Sequence, residues 1–319
     1  MSGTSTGRPP IRAVTTLELP LVGPGGEPVD LARTVTSHGF AELAPMSLDE
    51  TSLSLELTVR VPGGRPRRVM VVPGRTGFAR IDVLGPGAGA RVRTAALTTV
   101  ANVLRLDQDL SGFYERITED PDLSWAAAGA GRMLRSPTVF EDILKTVCTT
   151  NCAWSATVRM VNGLVAGLGE PAVGGTGPLT NAFPTPAAVA AASPGFFRDA
   201  VRAGYRGPYM IELARRVDAG EVDPEPWASA SPEELPDDEL ERALLDLPGV
   251  GPYAAAHVMM TLGRNSRLIL DSWTRPKYAR LTHRTKPVSD AAIRRRFRRY
   301  GGHAGLAFWL FLTRDWLED

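Results

Sequence analysis

Between Glu239 and Arg280 the chain reads ELERALLDLPGVGPYAAAHVMMTLGRNSRLILDSWTRPKYAR, and the turn at its centre constrains the fold more than any other segment. An amphipathic helix is expected to end at Leu247. Pro248-Gly249-Val250-Gly251 then supplies a tight turn with two glycines free to take positive φ. Pro252 suits the first position of the next helix, where its missing N–H costs nothing. Two helices joined by a glycine hairpin leave the amides at the second helix start, around Gly249, Val250, Gly251 and Ala254, free to bind phosphate without a side chain. Asp271 follows the apolar run Leu268-Ile269-Leu270 and stands before a further helix, so it reads first as an N-cap. A carboxylate beside a phosphate-binding hairpin also suits a second task, stabilising positive charge on a sugar and orienting water.

The fold class expected for the whole chain is α+β, an N-terminal β-rich part (antiparallel sheet plus helix) followed by an all-α part. Thr51 to Val61 alternates apolar and polar residues, Arg68 to Val72 and Phe78 to Leu84 are further strand candidates, and Ala95 to Leu104 reads as a helix. Beyond Pro121 the pattern turns helical, with helices expected at 137–149, 152–168, 186–192, 195–202, 208–219, 237–246, 252–262, 273–281, 289–299 and 304–316. The organisation expected is a disordered tail over 1–13, an α+β domain over 14–120 and a helical domain over 121–319 with its hairpin at 247–252.

Charge is informative in its distribution. The net charge is only +1, yet Arg264 to Tyr300 holds twelve Arg/Lys and Glu212 to Asp246 twelve Asp/Glu. The near-neutral total hides a basic C-terminal region that suits an anionic partner or, as plainly, a solvated helix face. Cys148 and Cys152, the only two cysteines, are expected on one side of one helix. Two cysteines exclude a disulfide framework and a four-cysteine iron–sulfur cluster, and with four scattered histidines they give no zinc spacing. The polar N-terminus lacks a signal-peptide core, and the apolar run Ala304 to Leu312 is too short for a bilayer. A cytoplasmic protein, in a bacterium sharing that space with the nucleoid, is expected; no membrane and no cofactor are implied.

LPGVGPYAA followed by ILDSWTR resembles the helix-hairpin-helix (HhH-GPD) DNA glycosylase superfamily, within it the 3-methyladenine and 8-oxoguanine DNA glycosylase branch. Three more segments carry the likeness: Val147-Cys148-Thr149-Thr150-Asn151, Ala203-Gly204-Tyr205-Arg206, and Ile293 to Leu312. The resemblance implies base excision repair of double-stranded DNA containing a damaged base, by base flipping and as a monomer. It implies Asp271 as the catalytic carboxylate, Asn151 in the hole left by the flipped base, Tyr205 as the wedge and Arg206 as reader of the opposite base. It also permits a structural monovalent cation on the carbonyls of Leu245, Leu247 and Val250, with no side-chain ligand. Singly, the plainer readings of these residues are a core Tyr205, a C-cap Asn151 and a solvated Arg206.

The chain departs from the family pattern at the reacting groups. Bifunctional members carry a lysine two residues after the second hairpin glycine; here that position is Tyr253, which points to water as nucleophile and no AP-lyase step. Phe308, Trp273 and His257 stand where the 8-oxoguanine branch has Gln, His and Cys. Tyr253, Trp273 and Phe308, with Trp309 as a further candidate, instead suit an aromatic base pocket, which favours a cationic alkylated purine; the plainer reading of Phe308 and Trp309 is core, and for Trp309 core is the reading preferred. A monofunctional alkylpurine glycosylase, 3-methyladenine-like, is the reading preferred. An oxidised- or deaminated-base (8-oxoguanine-like) glycosylase and a non-catalytic HhH DNA-binding protein stand beside it.

Overall fold

The computed structural model describes residues 13–316, so the tail expected over 1–13 lies outside the described residues except for Ala13, which opens the first strand. Five antiparallel strands, β1 (Ala13–Pro20), β2 (Ser47–Asp49), β3 (Ser54–Val59), β4 (Arg67–Pro73) and β5 (Phe78–Leu84), form one sheet in the order β1-β5-β4-β3-β2. Leu55, Leu57 and Val59 of β3, Val69 and Val71 of β4, and Ala79, Ile81 and Val83 of β5 alternate onto one buried face, as period-two side chains must. Thr51 to Leu53, expected within β3, form its turn instead.

Thirteen helices are present among the described residues. α1 (Leu31–Val35), α2 (Ala90–Val103) and α3 (Ser111–Ile117) belong with the N-terminal part of the chain. α4 (Val139–Thr149), α5 (Trp154–Leu168), α6 (Pro186–Ala190), α7 (Pro194–Asp199) and α8 (Arg206–Asp218) follow. α9 (Asp237–Leu245), α10 (Pro252–Thr261), α11 (Thr274–Leu281), α12 (Asp290–Phe297) and α13 (Ala304–Thr313) complete the chain. The expected 289–299 helix stops at Phe297, and a 3-10 turn over Arg298–His303 leads into α13. Cys152 lies beyond the end of α4, not on one helix with Cys148, and its thiol reaches back to the Cys148 carbonyl at 3.2 Å. Among the described residues no helix is long and apolar enough to cross a membrane.

Three cores hold these elements. α2 buries Ala96, Val100 and Val103, spaced four and three residues apart, on the apolar face of the sheet. α4, α5, α8, α9 and α10 share a second core; α3, α12 and α13 share a third. Arg132, fully buried, joins the layers: its guanidinium bonds the Glu27 carboxylate at 2.5 Å and the carbonyls of Arg105 and Gln108 at 3.1 and 2.8 Å. Truncating it would leave Glu27 unpaired in the interior, a loss of roughly 3–5 kcal/mol.

Candidate active site

The hairpin turns as its residues dictate, with one correction. Gly249 takes φ +81°, and a Cβ there would lie 3.0 Å from the Tyr209 Cβ, so conformation and packing both require glycine. Gly251 has φ −104° and ψ −177°, extended backbone open to any residue, and nothing crowds its Cβ position. What glycine gives at 251 is an uncovered helix start. Pro252 opens α10, and the first-turn amides after it have no intrahelical acceptor. The Val250 side chain is buried outside the cleft. Of the carbonyls named for a cation, that of Leu247 already accepts the Val250 amide at 3.1 Å. No cluster of His, Cys, Asp or Glu among the described residues is arranged to hold a metal.

Asp271 is fixed by the helix it caps. Its Oδ1 accepts the amides of Trp273 at 2.9 Å and Thr274 at 2.7 Å, while Thr274 Oγ1 accepts the Asp271 amide at 2.8 Å. This reciprocal cap locks the carboxylate's orientation. Oδ2 accepts no hydrogen bond from the described residues, and Asp271 lines a cleft of about 1480 Å³.

The same cleft brings together Asn151, Tyr205, Arg206, Gly249, Gly251, Tyr253, Ala254, His257 and Trp273 from four separate stretches of chain. Phe308 is the exception. It is 0% exposed and packs against Phe297 and Tyr278, ring centroids 5.2 and 6.1 Å away. Trp309, about 100° further round α13, faces the cleft in its place, its indole N–H donated to the Ser37 carbonyl at 2.8 Å. Trp309 stands 5.7 Å from Trp273 and 6.0 Å from Trp316, and Trp273 is 6.0 Å from Trp316. Three indoles thus form one wall beside Asp271. Sequence reasoning missed Trp316, and also Trp154, His38 and Phe40, which line the cleft from elements without any local signature.

The inner end of the cleft is neutral. Burial pushes His257 down to about 3 and His38 down to about 4, so both imidazoles are uncharged at neutral pH. Burial, with the nearby charge of Asp271 adding to it, raises the Tyr253 phenol above its usual range, and its hydroxyl lies 3.3 Å from Thr149 Oγ1.

At the outer lip, α4 is anchored at its start by Thr138, which caps Glu141, and by the Glu225 carboxylate, which takes the amides of Val139 and Phe140 at 3.0 Å each. Its far end delivers Asn151 in the left-handed region, φ +46°. Asn151 Nδ2 donates to Tyr205 Oη at 3.2 Å, and Tyr205 is 55% exposed. Arg206 is only 7% exposed: its Nη2 donates to the Thr150 carbonyl and its Nε to Thr150 Oγ1 at 3.2 Å. The plain reading of Arg206 as a solvated charge is therefore replaced, because its guanidinium satisfies the carbonyl left free where α4 ends.

The basic region is likewise half neutralised. Arg264 pairs with Asp237, Arg267 with Asp238 and Glu241, Arg275 with Asp290, Lys277 with Asp315, Arg296 with Asp122 and Arg299 with Asp120. Arg280, Arg284, Lys286, Arg294, Arg295 and Arg298 are exposed and form no ion pair among the described residues.

No protein-family profile and no curated protein matches the sequence. Solved structures do. The chain resembles a structure of MBOgg1 in complex with a low-affinity DNA ligand at a TM-score of 0.70 and 19% identity, covering 95% of this chain and 96% of that one. It resembles the 3-methyladenine DNA-glycosylase from Archaeoglobus fulgidus at 0.70 and 21%, covering 94% and 98%. A third likeness, to the Clostridium acetobutylicum 8-oxoguanine glycosylase/lyase bound to double-stranded DNA with cytosine opposite 8-oxoguanine, scores 0.63 at 19%, covering 90% and 92%. The chain shares the fold of these three glycosylase structures. Both kinds of glycosylase share that fold, so it does not choose between their lesions.

Proposed function

We propose that this protein is a monofunctional DNA glycosylase of base excision repair that flips an alkylated purine, 3-methyladenine-like, out of duplex DNA and hydrolyses its N-glycosidic bond. The observation that carries the reading is Asp271, locked by its cap at the edge of a cleft walled by Trp273, Trp309 and Trp316. As the bond breaks, its electron pair leaves with the purine, so a cationic alkylpurine departs neutral and needs no acid. Positive charge grows on the sugar, where a fixed carboxylate stabilises it. Water adds to the anomeric carbon and its proton passes to Asp271 or to solvent. The indole faces hold a cationic base by cation–π attraction before that step. Tyr205 and Asn151 fill the space the base has left, offsetting part of the few kcal/mol that extrusion costs. The hairpin amides and unpaired arginines hold the backbone, with no cofactor and one protomer acting alone.

Hydrolysis without strand cleavage is favoured because none of the three lysines lines the cleft. Lys145 is fully buried against Glu141 at 2.7 Å, and Lys277 is bound to Asp315 at 2.6 Å. The test is a panel of duplexes with alkylated, oxidised and deaminated bases, scored for free base before and after alkali, with borohydride trapping in parallel. Release of alkylpurines with strand breaks only after alkali, and no trapped adduct, is expected. Preferential release of oxidised or deaminated bases would move the assignment to the other branch, and release of none would leave a DNA-binding protein.

A further inference from the structure

The polar groups at the inner end of the cleft can be followed proton by proton. His38 Nε2 lies 2.5 Å from the Leu134 carbonyl oxygen. A carbonyl only accepts, so Nε2 carries the proton and Nδ1 is left with a lone pair. That Nδ1 is buried and has no hydrogen-bond partner, on a side chain 5% exposed. The Thr146 hydroxyl donates to the Asp142 carbonyl at 2.7 Å, so its oxygen is free only to accept from His257 Nδ1, 3.5 Å away. His257 Nε2 is therefore also a lone-pair acceptor, and no group of the described residues is bonded to it. The Thr149 hydroxyl donates to the Thr146 carbonyl at 2.7 Å, so Tyr253 donates to Thr149 and keeps an acceptor oxygen. Both imidazoles line the cleft with ring centroids 5.5 Å apart, and Phe40 packs against both.

We propose that His257 Nε2, with the Tyr253 oxygen beside it and the neutral His38 ring packed behind, forms an acceptor set that selects bases presenting an exocyclic amine, against bases presenting a carbonyl, at the edge that enters the cleft. The inference rests on the glycosylase reading and names what that site recognises. A base with an amine there satisfies lone pairs that otherwise stay unpaired in a desolvated site. One with a carbonyl sets acceptor against acceptor, and sites built to bond an N–H reject such analogues strongly. Burial keeps both rings uncharged, so the set does not repel a cationic purine.

The test uses the full-length protein and pairs of duplexes carrying the same N-methyl group on a 6-amino or a 6-oxo purine, in single-turnover excision. Wild type is expected to favour the amino member by at least about tenfold, the scale of one such hydrogen bond. His257→Phe, which keeps the ring and removes the acceptor, is expected to bring that ratio close to one, and His257→Gln, whose amide oxygen accepts, to restore part of it. In parallel, imidazole ¹⁵N spectra read the tautomers, and tryptophan fluorescence reads binding of free 3-methyladenine against 3-methylhypoxanthine. An Nε2–H tautomer of His257, or a ratio unchanged in His257→Phe, would overturn the proposal while leaving excision intact. Amine-selective binding of free base without any excision would instead uphold the acceptor set and remove the glycosylase reading.

Discussion

Arg206 holds Thr150: its guanidinium donates to both the carbonyl and the hydroxyl of that residue, and lies 4.5 Å beneath the centre of the Tyr205 ring. Asn151, the next residue, is bonded to the Tyr205 hydroxyl. The two loops that face the duplex in the proposed function are thereby tied into one unit before any DNA arrives.

That tie changes what Arg206→Ala is expected to do. A residue that read the opposite base would, when lost, alter the ranking of opposite bases. A strut would instead slow excision by a similar factor against all four, because an untied loop must be ordered anew at each flipping event. Arg206→Lys, which cannot bond both Thr150 oxygens in one plane, should recover little. Single-turnover excision of one lesion opposite each base decides the matter; a changed ranking would return Arg206 to the reading role.

Trp273 sits in the indole wall, 41% exposed and beside Asp271. Trp273→Ala is expected to slow excision of cationic alkylpurines by roughly tenfold more than that of neutral bases, since an exposed to partly desolvated cation–π contact is worth about 0.5–2 kcal/mol. Rates on matched cationic and neutral lesions test this. Equal losses on both would make Trp273 a packing residue.

Much of this site is legible in local chemistry. The hairpin, the cap at Asp271 and the Tyr253 substitution each depend on a few adjacent residues, so the sequence carries them directly. Residues brought in by tertiary packing carry no such mark. Trp316 and His38 reach the cleft from opposite ends of the chain, and nothing near either announces the other. α13 is apolar on every side, so no period distinguishes the face of Trp309 from that of Phe308. Arg206 misleads because a charge reads as solvated until its carbonyl partner, fifty-six residues earlier, is placed beside it.

The two buried imidazoles make stability depend on acidity. The folded pKa of His257, about 3, lies below its ordinary 6.5, so its contribution is fully present above pH 6.5 and is lost as pH falls toward the folded value. Asp142, raised to about 7 by burial, acts in the opposite sense over the same range, so the comparison must isolate one group. Denaturant unfolding of wild type and His257→Phe at pH 7 and pH 5 does so. The wild type should lose on the order of 2 kcal/mol more than the variant between the two. Parallel losses would show that His257 titrates normally in the fold.

In the proposed function Asp271 carries the chemistry, and Asp271→Asn isolates it, because an asparagine Oδ1 still caps the amides of Trp273 and Thr274. Single-turnover release of 3-methyladenine from duplex DNA, measured beside binding to a duplex with an abasic-site analogue, is the most direct test. The expected result is binding within about threefold of wild type and base release slower by two orders of magnitude or more, roughly what one electrostatic or acid–base group supplies. Release at near wild-type rate by the asparagine variant would contradict the assignment of Asp271, and with it the mechanism built on that carboxylate.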